Sequence, residues 1–146
     1  MKTVHKNSAF ALVIALGAFV LAPRAAVAFE PQLEKAVGEG KSLFAHNTFG
    51  GNGKVCESCH LAGGREPGRL PNGTSIPSLS NAAAIFPRYR AKDNRVVTLE
   101  DQVQTCVANA LQGTPPVYGS VEMNALVSYI TSLSQGKAMD MGGKPQ

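Results

Sequence analysis

The first apolar pattern in the chain is an unbroken one. Ala9 to Ala22 reads AFALVIALGAFVLA, after a short basic start at Lys2, His5 and Lys6. A run of about 14 apolar residues is shorter than the roughly 20 needed to cross a bilayer as a helix. Ala26-Val27-Ala28 supplies the small-x-small pattern of a processing site, so residues 1–28 are expected to be a secretory signal cleaved after Ala28. No second apolar stretch offers a membrane span. Beyond residue 30 the apolar positions recur at helical spacing. Leu33, Ala36, Val37, Gly40, Leu43 and Phe44 mark a helix over 33–46. Leu99, Val103, Cys106, Val107 and Ala110 mark a second, with Thr98 as its cap, acids in its first turn, and an end near Leu111 before Gly113. Met123, Leu126, Val127, Ile130 and Leu133 mark a third, capped by Ser120 and closed by Gly136. Gly50-Gly51-Asn52-Gly53 reads as a flexible approach and residues 62–74, rich in Gly and Pro, as a long loop. The tail over 137–146 is polar and is expected to be mobile. The pattern therefore predicts an all-α single domain.

A chain of 146 residues less a 28-residue leader leaves 118, near the lower end of what an apolar core sustains alone. A bound cofactor would add stability, because it binds only the folded state. Removing Lys2, Lys6 and Arg24 with the leader leaves 11 Lys and Arg against 10 Asp and Glu. With no dense basic run and no interleaved aromatics, the balance argues against nucleic acid as a partner. Three cysteines remain, Cys56, Cys59 and Cys106. An odd count in an exported chain leaves one thiol exposed to oxidation unless something occupies it.

Residues 56–60 read Cys-Glu-Ser-Cys-His, the spacing of covalent haem attachment. Two thiols three positions apart on one turn reach the two vinyl groups of a porphyrin edge, and the adjoining histidine then meets the iron. A redox dithiol would be expected in a βαβ setting, and no such alternation is present. A zinc site needs a second pair of ligands, and only His46 and Cys106 are left. The motif thus predicts one haem c, held by Cys56 and Cys59 and ligated by His60.

Gly40-Lys41-x-Leu43-Phe44 resembles the helix that precedes this motif in monohaem cytochromes c. That resemblance implies a small cytochrome c fold over residues 29–136, wrapped around one covalently attached haem. It also implies that Pro77, in Ile76-Pro77-Ser78-Leu79, offers its carbonyl to the other ring nitrogen of His60. Such a bond fixes the tautomer and raises the basicity of the ligand. In many of these cytochromes a methionine just before the last helix is the other axial ligand, and Thr114 stands there instead. Met123 is the alternative, although its stripe position suits packing. Met139 and Met141 lie beyond the last helix, and His46 lies close before the motif. Cys106, the unpaired thiol, is the leading candidate. Its stripe position also suits a small buried hydrophobe.

Three further stretches narrow the resemblance. Ile85-Phe86-Pro87-Arg88-Tyr89-Arg90, Val97 to Cys106 and Val121 to Ser134 are similar to the catalytic haem domain of TsdA-type thiosulfate dehydrogenases and to SoxA. The resemblance covers about residues 38–136. It implies Cys106 as an axial ligand, and it implies work on thiosulfate or carrier-bound sulfur. Two departures stand beside it. The chain lacks a second haem motif, and it has Gln102 and Asn109-Ala110 where those dehydrogenases tend to carry arginines. Arg88, Arg90, Lys92 and Arg95 could form an anion-attracting rim instead. The expectation is a periplasmic electron-transfer cytochrome of sulfur-compound oxidation, exchanging electrons with a redox partner protein. Two alternatives are an enzyme in which Cys106 takes part in catalysis on a small sulfur anion, and a haem subunit that binds a small gas.

Overall fold

The computed structural model describes residues 30–146; the expected signal segment lies outside the described residues. Among the described residues the α-helical elements are α1 (Pro31–His46), the single turns α2 (Leu61–Gly64), left-handed at Ala62 and Gly63, and α3 (Ala82–Ile85), and the longer α4 (Leu99–Cys106) and α5 (Val121–Leu133). Helix α1 begins two residues before its apolar stripe because Pro31 occupies the first turn, where a missing N–H costs nothing. Helix α4 starts on a reciprocal cap: Thr98 Oγ1 accepts from Asp101 N at 3.2 Å, and Asp101 Oδ2 accepts from Thr98 N at 2.8 Å. At Cys106 the helix gives way to a π-helical turn over Val107–Leu111. Ser120 Oγ caps α5 by accepting from Met123 N at 3.1 Å.

The all-helical expectation is met only in the main. Two antiparallel hairpins are also present, β1 (Gly68–Arg69) with β2 (Ser75–Ile76), and β3 (Arg88–Arg90) with β4 (Arg95–Val97). Strands of two or three residues are too short to show an alternating pattern, so the first of them lay hidden in the predicted loop.

Helices α1 and α5 cross at close range. A Cβ on Gly40 would lie 1.9 Å from the Ala125 carbonyl oxygen, so only glycine permits this approach. Phe44 is buried below the crossing, and its ring meets that of Tyr129 edge-on at 5.4 Å. Tyr129 donates its hydroxyl to the Gly63 carbonyl at 2.7 Å, tying α5 to the segment that follows His60.

Two segments read as loose in the sequence are tied down. The approach loop is pinned to the end of the π turn. Asn52 N donates to Leu111 O at 2.7 Å, Thr114 N donates to Phe49 O at 2.8 Å, and a Cβ on Gly51 would strike Leu111 O. Its glycines serve close approach as well as bending. The tail is docked, not free. Asp140 N and Gly142 N donate to Ala84 O and Ile85 O at 2.8 and 3.0 Å. Asn81 holds Lys144 O and Gln146 N, and Ser78 N donates to Gln146 O at 2.7 Å. Its partners are backbone groups and the Asn81 side chain, all far off in sequence, which no local pattern displays. Among the described residues no helix is long and apolar enough to cross a membrane.

Candidate functional site

The fold encloses a cavity of about 380 Å³, within the size range of cofactor sites. Its walls are apolar for the most part, contributed by α1, α4, α5 and the chain from Val55 to Ile85. Cys56, Cys59, His60, Pro77 and Cys106 all line it. Met123 does not; it is fully buried in the packing between helices. His46 is exposed at the end of α1, Met139 and Met141 are exposed in the tail, and Thr114 is exposed in the loop before α5.

The attachment motif winds as a tight turn. Cys59 N and His60 N both donate to Cys56 O, at 3.2 and 3.1 Å, which stacks the two thiol-bearing positions one turn apart. Ser58 Oγ accepts from Val55 N at 3.0 Å and Glu57 Oε1 from Gly63 N at 2.8 Å, closing the turn on both sides. A Cβ on Gly68 would lie 1.9 Å from Cys59 O, so β1 also braces the motif from behind.

His60 Nδ1 lies 3.1 Å from the Pro77 carbonyl oxygen. A carbonyl only accepts, so Nδ1 carries the proton and Nε2 keeps its lone pair. Burial lowers the pKa of His60, opposed by the Pro77 bond, so the neutral imidazole is favoured. The Phe44 ring centroid lies 6.4 Å from that of the imidazole, with the two planes tilted by 46°.

No two of the three cysteines form a disulfide. Burial pushes the Cys56 thiol up to about 12, with the nearby Cys106 and Cys59 adding to the rise. Burial also raises Cys106, against a hydrogen bond from Gln102 Nε2 to Sγ at 3.2 Å. Apolar walls, an imidazole with a free lone pair and thiols kept out of disulfides fit a covalently held haem. A bound metal would hold a coordinating thiol deprotonated.

Of the four basic residues expected at the rim, Arg88 alone lines the cavity. Arg90 is paired with Asp93, Arg95 with Asp101 at 3.1 Å, and Lys92 is exposed. Gln102, noted in the sequence only for standing in place of an arginine, lies one helical turn before Cys106 and donates to its sulfur. One contributor has no signal in the sequence. Pro145 reaches the cavity from the tail, with no local signal.

The family described as SoxA/TsdA, cytochrome c domain, matches residues 39–139. The chain belongs to this family. It therefore carries haem c, bound covalently. It is 34% identical to the thiosulfate dehydrogenase of Stutzerimonas stutzeri, over 74% of this chain and 38% of that protein. Among solved structures it resembles thiosulfate dehydrogenase (TsdBA) from Marichromatium purpuratum, with a TM-score of 0.61 and 28% identity. That match covers 83% of this chain and 26% of the other. SoxXA from P. pantotrophus shares the fold, with a TM-score of 0.61 at 24% identity, over 78% of this chain and 38% of that one. This cytochrome c domain thus spans well under half the length of these relatives.

Proposed function

We propose that the chain is a periplasmic monohaem cytochrome that transfers electrons in sulfur-compound oxidation. Its haem is attached at Cys56 and Cys59 and ligated by His60 and Cys106, after removal of residues 1–28. The observation that carries this reading is the convergence of Cys56, Cys59, His60 and Cys106 on one apolar cavity that Met123 does not reach. The haem supplies a one-electron couple. The chain's residues do the rest. Pro77 fixes the His60 tautomer, Phe44 packs beside its ring, and the apolar walls limit water. A thiolate ligand pushes electron density onto iron, which lowers the reduction potential relative to a His/Met cytochrome. The redox partner is a second cytochrome or an oxidoreductase subunit, a role supported by the likeness to TsdBA and SoxXA.

Low-temperature electron paramagnetic resonance of the oxidised protein tests the ligand set. Cys106→Ala is expected to abolish the wild-type low-spin signal, and Met123→Ala to preserve it. An unaltered spectrum in Cys106→Ala would remove Cys106 from the iron. Mass spectrometry of the exported protein tests the leader: the expected chain begins at Phe29.

A second reading, thiosulfate dehydrogenase activity, is favoured by the relationship to the S. stutzeri enzyme and by Arg88, a cation placed to attract an anion into the cavity. Two thiosulfates would join as tetrathionate, releasing two electrons to the partner. Thiosulfate with ferricyanide as acceptor tests it; no tetrathionate would remove this second reading.

A further inference from the structure

The amide of Gln102 has one orientation open to it. Its Oε1 lies 3.2 Å from Nη1 of Arg90, and its Nε2 lies 3.2 Å from Sγ of Cys106. A guanidinium has donors only, so the amide oxygen must face Arg90 and the NH2 group must face the sulfur. Arg90 is itself immobilised, since its Nε and Nη2 both point at Asp93 Oδ2. Both groups of this ion pair are more buried than a freely solvated surface pair. Three residues on two elements, β3 with its turn and α4, thus end in one N–H aimed at one sulfur. An amide free to rotate could present either face to a thiol; this one presents only its donor.

We propose that Gln102, locked by Arg90 and Asp93, is a positioning residue that holds the Cys106 sulfur through a donated hydrogen bond and thereby sets the haem's reduction potential. The inference rests on the reading of Cys106 as an iron ligand. A hydrogen bond to a ligating sulfur withdraws electron density from it, and such outer contacts tune the metal. Reduction adds negative charge to the iron–sulfur unit. A donor at the sulfur therefore favours the reduced state and raises the potential above that of an unbonded thiolate. The device also moderates the sulfur's pull on the metal without placing a full charge beside it. Arg90 supplies the polarisation from one residue further away.

Redox titration and electron paramagnetic resonance of the purified holoprotein test this. Gln102→Leu removes the donor, and Gln102→Glu keeps a partner for Arg90 while turning an acceptor oxygen toward the sulfur. Arg90→Gln leaves the donor in place and unlocks it. All three are expected to lower the potential: Glu most, Leu next, Arg90→Gln least. The low-spin g values should move in Leu and Glu. A merely structural role would change melting temperature and leave both readouts where they are. Unchanged potential and g values in Gln102→Leu and Gln102→Glu would overturn the inference. Cys106→Ala run alongside separates the two levels. An altered Cys106→Ala spectrum with silent Gln102 variants sinks this inference alone, whereas an unaltered one sinks the ligand reading and this inference with it.

Discussion

The two segments that meet at the cavity are built by different means. The His60 segment is irregular chain, and the groups that receive or offer its long-range bonds are largely backbone ones, beside the Ser58 and Glu57 side chains that close its turn. Pro77 O accepts a hydrogen bond from His60 Nδ1, Gly63 O accepts from the Tyr129 hydroxyl, and Ser78 N donates to the tail at Gln146 O. Cys106 stands at the end of a regular helix, and side chains govern it: a Thr98–Asp101 cap at the start of the helix and Gln102 at the sulfur. A position set by backbone contacts resists side-chain substitution, because carbonyls and amides persist in every variant. A position set by side chains can be adjusted one residue at a time. The difference leaves the imidazole's partner a carbonyl that every variant at Pro77 retains, and the thiol's partner a side chain that one substitution removes.

The largest break in this comparison comes from removing the attachment. Cys56→Ala with Cys59→Ala is expected to abolish haem staining on a denaturing gel and to lower the melting temperature steeply. A cavity of about 380 Å³ lined by Phe44, Leu126 and Ile130 cannot collapse around its missing cofactor. Retained stain would place the covalent link elsewhere.

The next effect separates packing from ligation. Met123→Ala should cost about 2–5 kcal/mol in denaturant melts, as buried methionines do, with the haem spectrum unaltered. Cys106→Ala should do the reverse, changing the spectrum at a smaller cost in stability. A shifted spectrum in Met123→Ala with none in Cys106→Ala would exchange their roles.

A smaller effect sharpens the His60 side. Asn81→Ala removes two bonds that hold the tail, to Lys144 O and Gln146 N. The expected loss is about 1–3 kcal/mol, since it leaves two polar groups without partners. Hydrogen exchange should quicken at Ser78 and Gln146, and the Cys106-dependent spectrum should not move. Exchange unchanged at both amides would show that the tail is held by other means.

The smallest concerns the cap of α4. The Tyr118 hydroxyl, then the Thr98 amide and Arg95, hold the Asp101 carboxyl at about 2, below the usual carboxylate range. A folded pKa below the unfolded one means the charged form favours the fold. This stabilisation is complete above about pH 4 and is lost as pH falls through 2. Tyr118→Phe should raise the folded pKa of Asp101 and shrink that acid-dependent loss. The site is close to solvent, so the change is tenths of a kcal/mol. A chemical-denaturant series from pH 5 to 2 measures it; identical slopes in both proteins would remove Tyr118 from the account.

Much of the molecule could be read from local chemistry. Thr98 and Ser120 were legible as caps because a capping bond spans only three residues. The Cys56–His60 motif and the apolar stripes of α1, α4 and α5 were legible for the same reason: spacing along the chain sets their geometry. The approach loop and the tail were misjudged because their partners, Leu111, Asn81 and Ala84, lie far off in sequence. Gly40 was read as one more stripe position, although its reason for being glycine is the Ala125 carbonyl of another helix.

By itself, then, the sequence determined which atoms could hold a haem and which segments would be helical. Those properties follow from residue type and short-range periodicity. Only the tertiary structure decided that Cys106 shares a cavity with the motif while Met123 does not. It also decided that Arg90 fixes the Gln102 amide and that the tail closes over Asn81. These outcomes depend on where loops return the chain. Backbone carbonyls and amides, present at nearly every residue, become specific partners only once folding has chosen which of them meet.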